Sequence, residues 1–233
     1  MADPTDLSFL NLLFKPHPWH GIPSGDDVPQ QVNAYIEMVP TDTVKYEIDK
    51  PSGYLKLDRP QKYSSVCPTL YGFIPQTYCG KQVGAFCSKK TKRKGIVGDG
   101  DPLDICVLTD RTITHGDLII KAIPIGGIRM IDGSEADDKI IAVLKNDALY
   151  GSWKDVADCP RALLDRLRHY FLTYKEIPNA EPNAKVEITH IYSKAEAFEV
   201  IAASLADYQA NFGDATARIQ ALSALMSTTK KQG

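Results

Sequence analysis

The sequence lacks several features by which whole classes of protein are recognised. Only five of its 233 residues are cysteines, and no Cys-x-x-Cys pair occurs among them. An odd, scattered set of this kind argues against a disulfide framework and predicts reduced thiols in the cytoplasm. No apolar run reaches the ~18 residues that a membrane span needs, so we expect none. The first residues carry acids where a signal peptide has basic side chains, and we therefore expect no secretion.

A surplus of charge of one sign is also missing. The 27 basic and 29 acidic side chains leave a net charge of −2, whereas general nucleic-acid binders are usually more basic. The one basic run, SKKTKRKG at 88–95, could be a nucleic-acid patch or a solvated insertion loop between strands. Because one aromatic lies nearby and the surrounding chain is acidic, the loop is the favoured interpretation, and no nucleic-acid partner is expected.

Length and composition favour one globular domain with appendages. The chain is 43% hydrophobic and 24% charged, which are ordinary values for a soluble protein. We divide it into an N-terminal arm over 1–31, a domain over 32–213 and a C-terminal helical tail over 214–233. In the arm, His17 and His20 flank Trp19. Two histidines could bind a metal, but no third ligand lies near, and docking of the arm through Trp19 is the favoured interpretation.

Apolar and polar residues alternate through much of the first part of the domain, which is typical of strands half buried in a sheet. The alternating segments 44–49 and 54–59 are separated by the turn signal KPSG, and this spacing predicts a hairpin. Further strands are predicted at 32–39, 71–76, 104–108, 117–123, 125–131 and 139–144. Short strands at this spacing favour an antiparallel barrel or sandwich.

The C-terminal third changes to helical periodicity. Leucines and aromatics at helical spacing predict a helix from Pro160, at its first position, to Lys175. A second predicted helix opens with a capping box of Ser193 and Glu196 and ends at Gly213. The sequence therefore predicts a core of strands with helices packed outside it.

Three aspartates, Asp99, Asp101 and Asp104, stand close together in VGDGDPLDICVLTD, where an apolar run follows them. Ionised carboxylates this close repel one another and cannot all be buried unpaired. A solvated turn would explain them. A helix–loop–helix calcium loop would not, because Leu103 stands where that loop needs an oxygen ligand. A magnesium site explains the cluster best, since the cation neutralises the acids while glycines and a proline shape the turn that aims them.

A second acidic group follows another predicted strand and could supply further ligands. It contains Asp132, Glu135, Asp137 and Asp138, and Lys139 comes next. Taken alone, this group is more typical of a solvated turn. Beside the first cluster, and with polar side chains elsewhere in the chain, it favours a site in which metals hold phosphate groups. Those further side chains are Lys45, Glu47, Arg59, Tyr174 and Lys175.

Seven segments of the chain occur in the order and at the spacings of the family I soluble inorganic pyrophosphatases, which the chain resembles from about residue 32 to residue 212. The segments are DGDPLD, IEMV, KYEIDKPSG, LDR, YGFIPQT, DGSEADDK and YFLTYK. The resemblance implies an α+β, mainly β fold, with a five-stranded closed barrel of the OB type and helices packed outside. It also implies hydrolysis of pyrophosphate to two phosphates with several Mg²⁺ ions per site, for which Mn²⁺ or Zn²⁺ could substitute.

The resemblance also assigns a role to each matching residue. The metal ligands that it implies are Asp99, Asp104, Asp132, Asp137 and Glu47, the last acting through water. Asp101 would be the general base. The residues implied to bind phosphate are Lys45, Arg59, Tyr71, Lys139, Tyr174 and Lys175, and Glu37 would line the site. Lys45, Arg59, Tyr174 and Lys175 would also take part in catalysis.

The chain departs from the family pattern at a few positions. Cys67 stands where the family commonly has a tyrosine, and Gly133 where some members have an acid. Features of compact bacterial members and of larger eukaryotic ones are mixed, so a homo-oligomer is implied while dimer and hexamer both stay open. Two other functions also stay open: a barrel that binds single-stranded nucleic acid through the basic run, and a catalytically inactive relative that binds metal.

Overall fold

Ten strands and three α-helices form the part of the chain that the computed structural model describes, residues 15–175 and 186–213. The strands are β1 (Val32–Met38), β2 (Val44–Ile48), β3 (Leu55–Pro60), β4 (Leu70–Phe73), β5 (Val97–Gly98), β6 (Asp104–Leu108), β7 (Leu118–Asp132), β8 (Glu135–Ala136), β9 (Lys139–Leu144) and β10 (Val186–Ser193). The helices are α1 (Lys81–Thr91), α2 (Arg161–Thr173) and α3 (Lys194–Phe212). The predicted C-terminal helical tail lies outside the described residues.

One large sheet dominates the fold. Strand β1 pairs antiparallel with both β4 and β7, and β4 pairs antiparallel with β6. Strand β6 then pairs parallel with β9, which pairs antiparallel with β7. Following these pairings therefore leads from β1 through β4, β6, β9 and β7 back to β1. The prediction of a mixed α+β fold made mainly of strands is confirmed.

Strand β7 can pair with so many neighbours because it is 15 residues long. The sequence predicts two strands here, separated at Pro124, whereas the structure has one. Its register against β9 shifts between Pro124 and Gly126, and such a bulge accommodates a proline that has no backbone N–H to donate. Gly126 also lets β10 approach, because a Cβ at this position would lie 2.5 Å from the carbonyl oxygen of Tyr192.

Alternate residues of the strands feed two separate hydrophobic clusters. In β6, Ile105 and Val107 belong to the cluster covered by α1 and α3, whereas Cys106 and Leu108 belong to the cluster covered by α2. This follows from the two-residue period of a strand. Each fully buried Ile or Leu side chain contributes about 1.5–3 kcal/mol, so the helices are held on the sheet mainly by these contacts.

The predicted hairpin is confirmed, and it forms a two-stranded sheet of its own. Strands β2 and β3 pair antiparallel, with Lys45 opposite Arg59 and Glu47 opposite Lys56. The hairpin is joined to the main sheet through Ile48, which is buried in a third cluster with aromatic side chains of the arm, β1, β4 and α3. The hairpin therefore forms a wall that stands against the main sheet.

Helix α1 occupies the first half of the basic run, so the prediction of a loop is wrong for 88–91, whereas 92–95 lie outside helices and strands. The helix begins where the carboxylate of Asp207, on α3, accepts hydrogen bonds from the backbone N–H groups of Gly80, Gln82 and Val83 at 2.9–3.0 Å. Val83 and Cys87 are buried in the core. Both stabilising features are tertiary, which is why local sequence does not reveal them.

The predicted start of the C-terminal helix is confirmed, since Ser193 is its N-cap residue, but the predicted capping box does not form. The side chain of Ser193 makes no capping hydrogen bond within the described structure, and Ser193 is also the last residue of β10, a strand that the sequence pattern did not predict. Glu196 contacts basic side chains of other elements. The predicted end at Gly213 is confirmed, since this residue has a φ of 71° and follows the last helical turn.

The arm docks on the domain as predicted. Trp19 is buried, and its Nε1 donates a hydrogen bond of 2.7 Å to the carbonyl oxygen of Thr77. His17 and His20 lie 3.0 Å from the carbonyl oxygen of Lys50 and 2.9 Å from the hydroxyl of Tyr208. All five cysteines are free and buried, as the prediction of reduced thiols requires. Among the helices described, none combines the length and apolar character of a membrane span.

Candidate functional site

A cavity of about 410 Å³ lies between the β2–β3 hairpin and the loop that precedes β6. Many of the residues singled out from the sequence line it. These are Glu37, Lys45, Glu47, Tyr71, Asp99, Asp101, Asp104 and Asp137. The structure adds residues that the sequence analysis did not assign to the site: Ile48, Asp49, Lys50, Pro51, Lys56, Phe73 and Pro102.

The aspartate loop is held rigidly against the domain. Gly100 has a φ of 78°, a left-handed conformation that glycine adopts without strain. Its N–H donates to the carbonyl oxygen of Cys79 at 3.0 Å, and the N–H of Cys79 donates to the carbonyl oxygen of Asp101 at 2.8 Å. The N–H of Asp101 in turn donates to Oδ1 of Asp99 at 2.9 Å. The glycines and the backbone hydrogen bonds therefore fix the direction of the carboxylates, as the sequence pattern indicates.

A buried lysine lies between two carboxylates at the base of the cavity. Nζ of Lys139 forms ion pairs with Asp104 and Asp137. Burial acts to lower the pKa of Lys139, but the two carboxylates outweigh it and the pKa is raised well above its usual value. The hydroxyl of Tyr71 donates to Oδ2 of Asp104 at 2.6 Å, and burial followed by the charge of Asp104 raises the pKa of Tyr71 strongly. The ammonium group of Lys139 therefore neutralises part of the negative charge of both Asp104 and Asp137.

The positive charge of Lys139 does not fully compensate the burial of the nearby carboxylates. Burial, and next the charge of Asp137, raises the pKa of Asp99 to about 8. Burial also raises the pKa of Asp104, against the opposing effect of Lys139. The ionised forms of these acids are thus disfavoured unless more positive charge is supplied.

A divalent cation would supply that charge, and the donor set fits a hard ion such as Mg²⁺, which prefers carboxylate oxygens and water. Within residues 15–175 and 186–213, no three His, Cys, Asp or Glu side chains already converge as a complete ligand set. Lys139 instead neutralises part of the charge. Asp99, Asp104 and Asp137 are the residues best placed to hold the ion, since they line one cavity and two of them share one cation.

The hairpin wall carries most of the positive charge. Nζ of Lys45 lies 2.7 Å from Oε2 of Glu47 and 3.2 Å from Oδ2 of Asp58. Lys56 lies 3.4 Å from Oε1 of Glu47, and Lys50 forms an ion pair with Asp101 across the cavity. The register of the hairpin could have revealed Lys56, because it stands directly opposite Glu47. Nothing local distinguishes Lys50 from an ordinary turn residue.

Glu37 joins the two walls of the cavity. Its Oε1 accepts a hydrogen bond of 2.6 Å from the backbone N–H of Ile48. Burial, followed by the charge of Asp104, raises the pKa of Glu37 to about 8. The residue thus lines the cavity and also attaches the hairpin to the sheet.

The other predicted phosphate ligands form a neighbouring group outside the cavity lining. Nζ of Lys175 donates to Oδ2 of Asp132 at 2.7 Å. The ring of Tyr174 makes cation–π contacts with both basic side chains. The guanidinium carbon of Arg59 lies 5.8 Å from the ring centre, and Nζ of Lys175 lies 5.4 Å from it. Arg59 stands opposite Lys45 in the hairpin, so this group adjoins the cavity at the hairpin wall.

The second acidic group is divided by the structure. Asp137 lines the cavity, whereas Glu135 is exposed on β8. Asp138 is buried behind the sheet, where Arg129 and Tyr192 hold it. Of the acids in that group, Asp137 alone therefore lines the cavity in the part of the chain described.

Known proteins match this chain over most of its length. The family model for inorganic pyrophosphatase matches residues 34–209. The inorganic pyrophosphatase of Chlamydia muridarum is 52% identical over 196 residues, which cover 82% of this chain and 93% of that protein. The soluble inorganic pyrophosphatase of Oryza sativa subsp. indica is 37% identical over 165 residues, which cover 71% of this chain and 68% of that protein.

Solved structures agree with these sequence matches. The inorganic pyrophosphatase of Thermus thermophilus superposes with a TM-score of 0.68 at 29% identity, covering 82% of this chain and 99% of that one. The enzyme from Helicobacter pylori superposes with a TM-score of 0.66 at 30% identity, covering 81% and 98%. Fold, site and relatives together define the class of protein, a hydrolase of phosphoric anhydrides. Within that class, the chain belongs to the inorganic pyrophosphatase family and is an inorganic diphosphatase. The resemblance seen in the sequence motifs is confirmed.

Proposed function

We propose that this chain hydrolyses pyrophosphate to two phosphates with Mg²⁺, by in-line attack of an activated water. The observation that carries the proposal is the contrast across the 410 Å³ cavity. Partly buried carboxylates with raised pKa values, Asp99 and Asp104, line one side, and Lys45, Lys50 and Lys56 line the other beside Glu47 and Asp49. Pyrophosphate is a small multivalent anion that needs both a cation to approach the acids and lysines to bind its far phosphate.

The metal ligands in this proposal are Asp99, Asp104, Asp132, Asp137 and Glu47, holding several Mg²⁺ ions that Mn²⁺ or Zn²⁺ could replace. When bound, such ions would offset the charge of the acids, orient the substrate and lower the pKa of the attacking water. Asp137 lines the same cavity as Asp99 and Asp104, which supports a shared role. Asp132 is tied to Lys175 at 2.7 Å and would act where that neighbouring group meets the cavity.

The chain's own residues would bind the substrate and move its proton. Asp101 would accept the proton of the water, and its ion pair with Lys50 would have to loosen for it to do so. The phosphate ligands would be Lys45, Arg59, Tyr71, Lys139, Tyr174 and Lys175. Of these, Lys45, Arg59, Tyr174 and Lys175 would stabilise the charge that builds on the leaving phosphate.

We also infer that the ring of pairings among β1, β4, β6, β9 and β7 is a closed five-stranded barrel of the OB type. The domain would extend over 32–213, with the arm over 1–31 and the tail over 214–233 as appendages. We place the protein in the cytoplasm as a homo-oligomer, either a dimer or a hexamer. Five reduced thiols support that compartment.

The experiment that tests the function is phosphate release from pyrophosphate with Mg²⁺, comparing the parent protein with Asp101→Asn. We expect activity in the parent and a loss of about 100- to 10,000-fold in the variant, because it lacks the general base. The matched control is Asp165→Asn, which removes an exposed carboxylate from α2 and should leave the rate unchanged. A folded, Mg²⁺-supplied parent protein that leaves pyrophosphate intact would contradict the proposal and favour an inactive metal-binding relative.

A further inference from the structure

Asp137, Asp138 and Lys139 lead into β9, and their side chains alternate between the two sides of the sheet. Lys139 contacts Asp104 and Asp137 at the base of the cavity. Asp138, which lies between Asp137 and Lys139 in the sequence, is only 3% exposed and faces away from the cavity. This is the alternation that an extended chain imposes. Whatever holds the side chain of Asp138 therefore also sets the direction of its two neighbours.

Asp138 is held by two side chains from the strands behind it. Its Oδ2 accepts a hydrogen bond of 3.0 Å from Nε of Arg129, on β7, and one of 3.1 Å from the hydroxyl of Tyr192, on β10. The backbone N–H of Asp137 donates to the carbonyl oxygen of Met130 at 3.0 Å. The segment is thus fixed through its backbone at one residue and through its side chain at the next.

Arg129 is itself fixed on every side. It is fully buried, and its guanidinium carbon lies 5.1 Å from the ring centres of both Phe86 and Tyr192. Its Nη2 donates to Oε1 of Glu196 at 3.1 Å, and Glu196 is also paired with Lys90 at 3.1 Å. Helices α1 and α3 therefore close over the arginine.

The arrangement stabilises the fold less than its burial suggests. Among the described residues, Nη1 of Arg129 and Oδ1 of Asp138 are buried without a hydrogen-bond partner. A buried ion pair with unsatisfied atoms is a poor stabiliser, and well-packed apolar side chains often serve a fold equally well. Stability therefore does not explain the ion pair of Arg129 and Asp138, whereas a role in orienting Asp137 and Lys139 does.

We propose that Arg129 and Asp138, aided by Tyr192, are positioning residues for the active site: they hold Asp137 and Lys139 in the direction that metal and phosphate binding require. The inference rests on the proposed function, in which Asp137 is a metal ligand and Lys139 a phosphate ligand. Arg129 and Asp138 do not line the cavity, so they act only through their neighbours. Partners of this kind behind metal ligands typically change affinity or activity about 10- to 100-fold when they are replaced.

The test compares the double variant Arg129→Met/Asp138→Leu with the parent protein. Removing both charges leaves no unpaired ion, and Glu196 keeps Lys90 as its partner. Three quantities are measured: thermal unfolding without metal, Mg²⁺ affinity by calorimetric titration without substrate, and kcat and KM separately. We expect a melting temperature close to that of the parent, together with Mg²⁺ binding weakened about 10- to 100-fold and a raised KM.

Further variants test whether the hydrogen bonds of Asp138, rather than a general loss of stability, cause the change in Mg²⁺ affinity. Asp138→Asn retains an oxygen that can accept from Arg129 and Tyr192, so it should recover most of the Mg²⁺ affinity. The matched control, Arg93→Gln/Glu187→Gln, removes the bidentate ion pair of 2.7 and 2.8 Å between the end of α1 and β10 and should not alter Mg²⁺ affinity. Should the double variant not fold, Tyr192→Phe replaces it, with an expected loss of about 2- to 5-fold for one hydrogen bond.

The outcomes separate the two levels of inference. Parental Mg²⁺ affinity and kinetics in the folded double variant, or in Tyr192→Phe when that replaces it, would overturn the positioning role and leave a purely structural pair. Failure of the parent protein itself to release phosphate would instead contradict the proposed function. Weakened Mg²⁺ binding that Asp138→Asn recovers supports the positioning role directly.

Discussion

The cavity has a hairpin wall, formed by β2 and β3, and a sheet wall, formed by the aspartate loop and the start of β6. The charged side chains of the two walls are compensated in opposite ways. On the sheet wall, Asp99 and Asp104 are held by a rigid loop and the start of β6, and their pKa values are raised because burial is not fully compensated. On the hairpin wall, Lys45, Glu47 and Lys56 are partly exposed and pair with one another within 3.4 Å. The hairpin wall is balanced as it stands, whereas the sheet wall needs an added cation.

Under the proposed function, this difference favours separate tasks for the two walls. A wall that cannot ionise fully by itself is suited to gain stability when a divalent ion arrives. The lysines of the hairpin wall, whose partners are partly exposed acids, can exchange those partners for phosphate oxygens at little expense. Changes on the sheet wall should therefore affect metal-dependent chemistry strongly, and changes to the exposed lysines of the hairpin wall, Lys50 and Lys56, should affect substrate affinity weakly.

Asp104→Asn on the sheet wall should have a large effect, comparable to that of Asp101→Asn. The substitution removes a carboxylate that pairs with Lys139 and accepts from Tyr71. Metal ions contribute several kcal/mol to the transition state, so we expect phosphate release at saturating Mg²⁺ to fall about a thousandfold. Steady-state assays alongside Asp165→Asn measure it. A loss below tenfold in the folded variant would show that the sheet wall is not where metal chemistry takes place.

Replacing Mg²⁺ by Ca²⁺ should have the next largest effect. Ca²⁺ takes about 6–8 oxygen ligands at about 2.3–2.6 Å, whereas Mg²⁺ needs six at about 2.0–2.1 Å. A rigid acidic wall would still hold the larger ion but would misplace the attacking water, so we expect hydrolysis to slow at least ~100-fold. Assays with each ion alone, and with Ca²⁺ added to Mg²⁺, measure the effect. Undiminished hydrolysis with Ca²⁺ alone would refute the geometric requirement.

Asp147, a carboxylate that does not line the cavity, shows the effect on the pKa when hydrogen-bond donors outweigh burial. Asp147 accepts hydrogen bonds of 2.7–3.0 Å from the backbone N–H groups of Leu149, Tyr150 and Asp110 and from the hydroxyl of Thr109. Burial alone would raise the pKa of Asp147, but these donors outweigh it and lower the pKa to about 2. This is opposite to the behaviour of the cavity acids.

Asp147→Asn should therefore reduce stability without altering catalysis. Loss of these bonds costs about 1–3 kcal/mol in the free energy of unfolding at pH 7. Because the folded-state pKa is lowered from 3.8, the carboxylate's contribution is fully present above about pH 4 and disappears as the pH falls toward 2. Urea unfolding at several pH values measures the difference in the free energy of unfolding between parent and variant. This difference should become smaller below pH 4. A gap that stays constant down to pH 2 would contradict the assignment.

The sequence predicts what depends on local pattern. Alternation and a turn signal give the β2–β3 hairpin, and three acids among glycines give the loop whose residues line the cavity. Helix α1 could not be predicted in the same way, because its cap comes from Asp207, far along the chain. The division between Asp137 and Asp138 is likewise invisible locally, since it depends on Arg129 and Tyr192.

The smallest effect is expected at Lys50, the one described lysine that pairs with an acid of the opposite wall. Ion pairs between exposed side chains contribute about 0.2–1 kcal/mol, so Lys50→Met should raise the KM for pyrophosphate only about 1.5- to 5-fold. Its effect on kcat should be smaller still, because Asp101 stays in its rigid loop when the lysine is removed.

The matched control is Lys121→Met, which removes a half-exposed lysine on β7 that lies 4.0 Å from Asp26. If the hairpin wall serves substrate affinity, the change in KM at Lys50 should shrink as salt is added, since exposed charges are screened. A fall in kcat larger than the rise in KM would instead mean that Lys50 holds Asp101 in place for proton transfer. The two walls would then share one task, and the separation between metal chemistry and substrate binding would have to be abandoned.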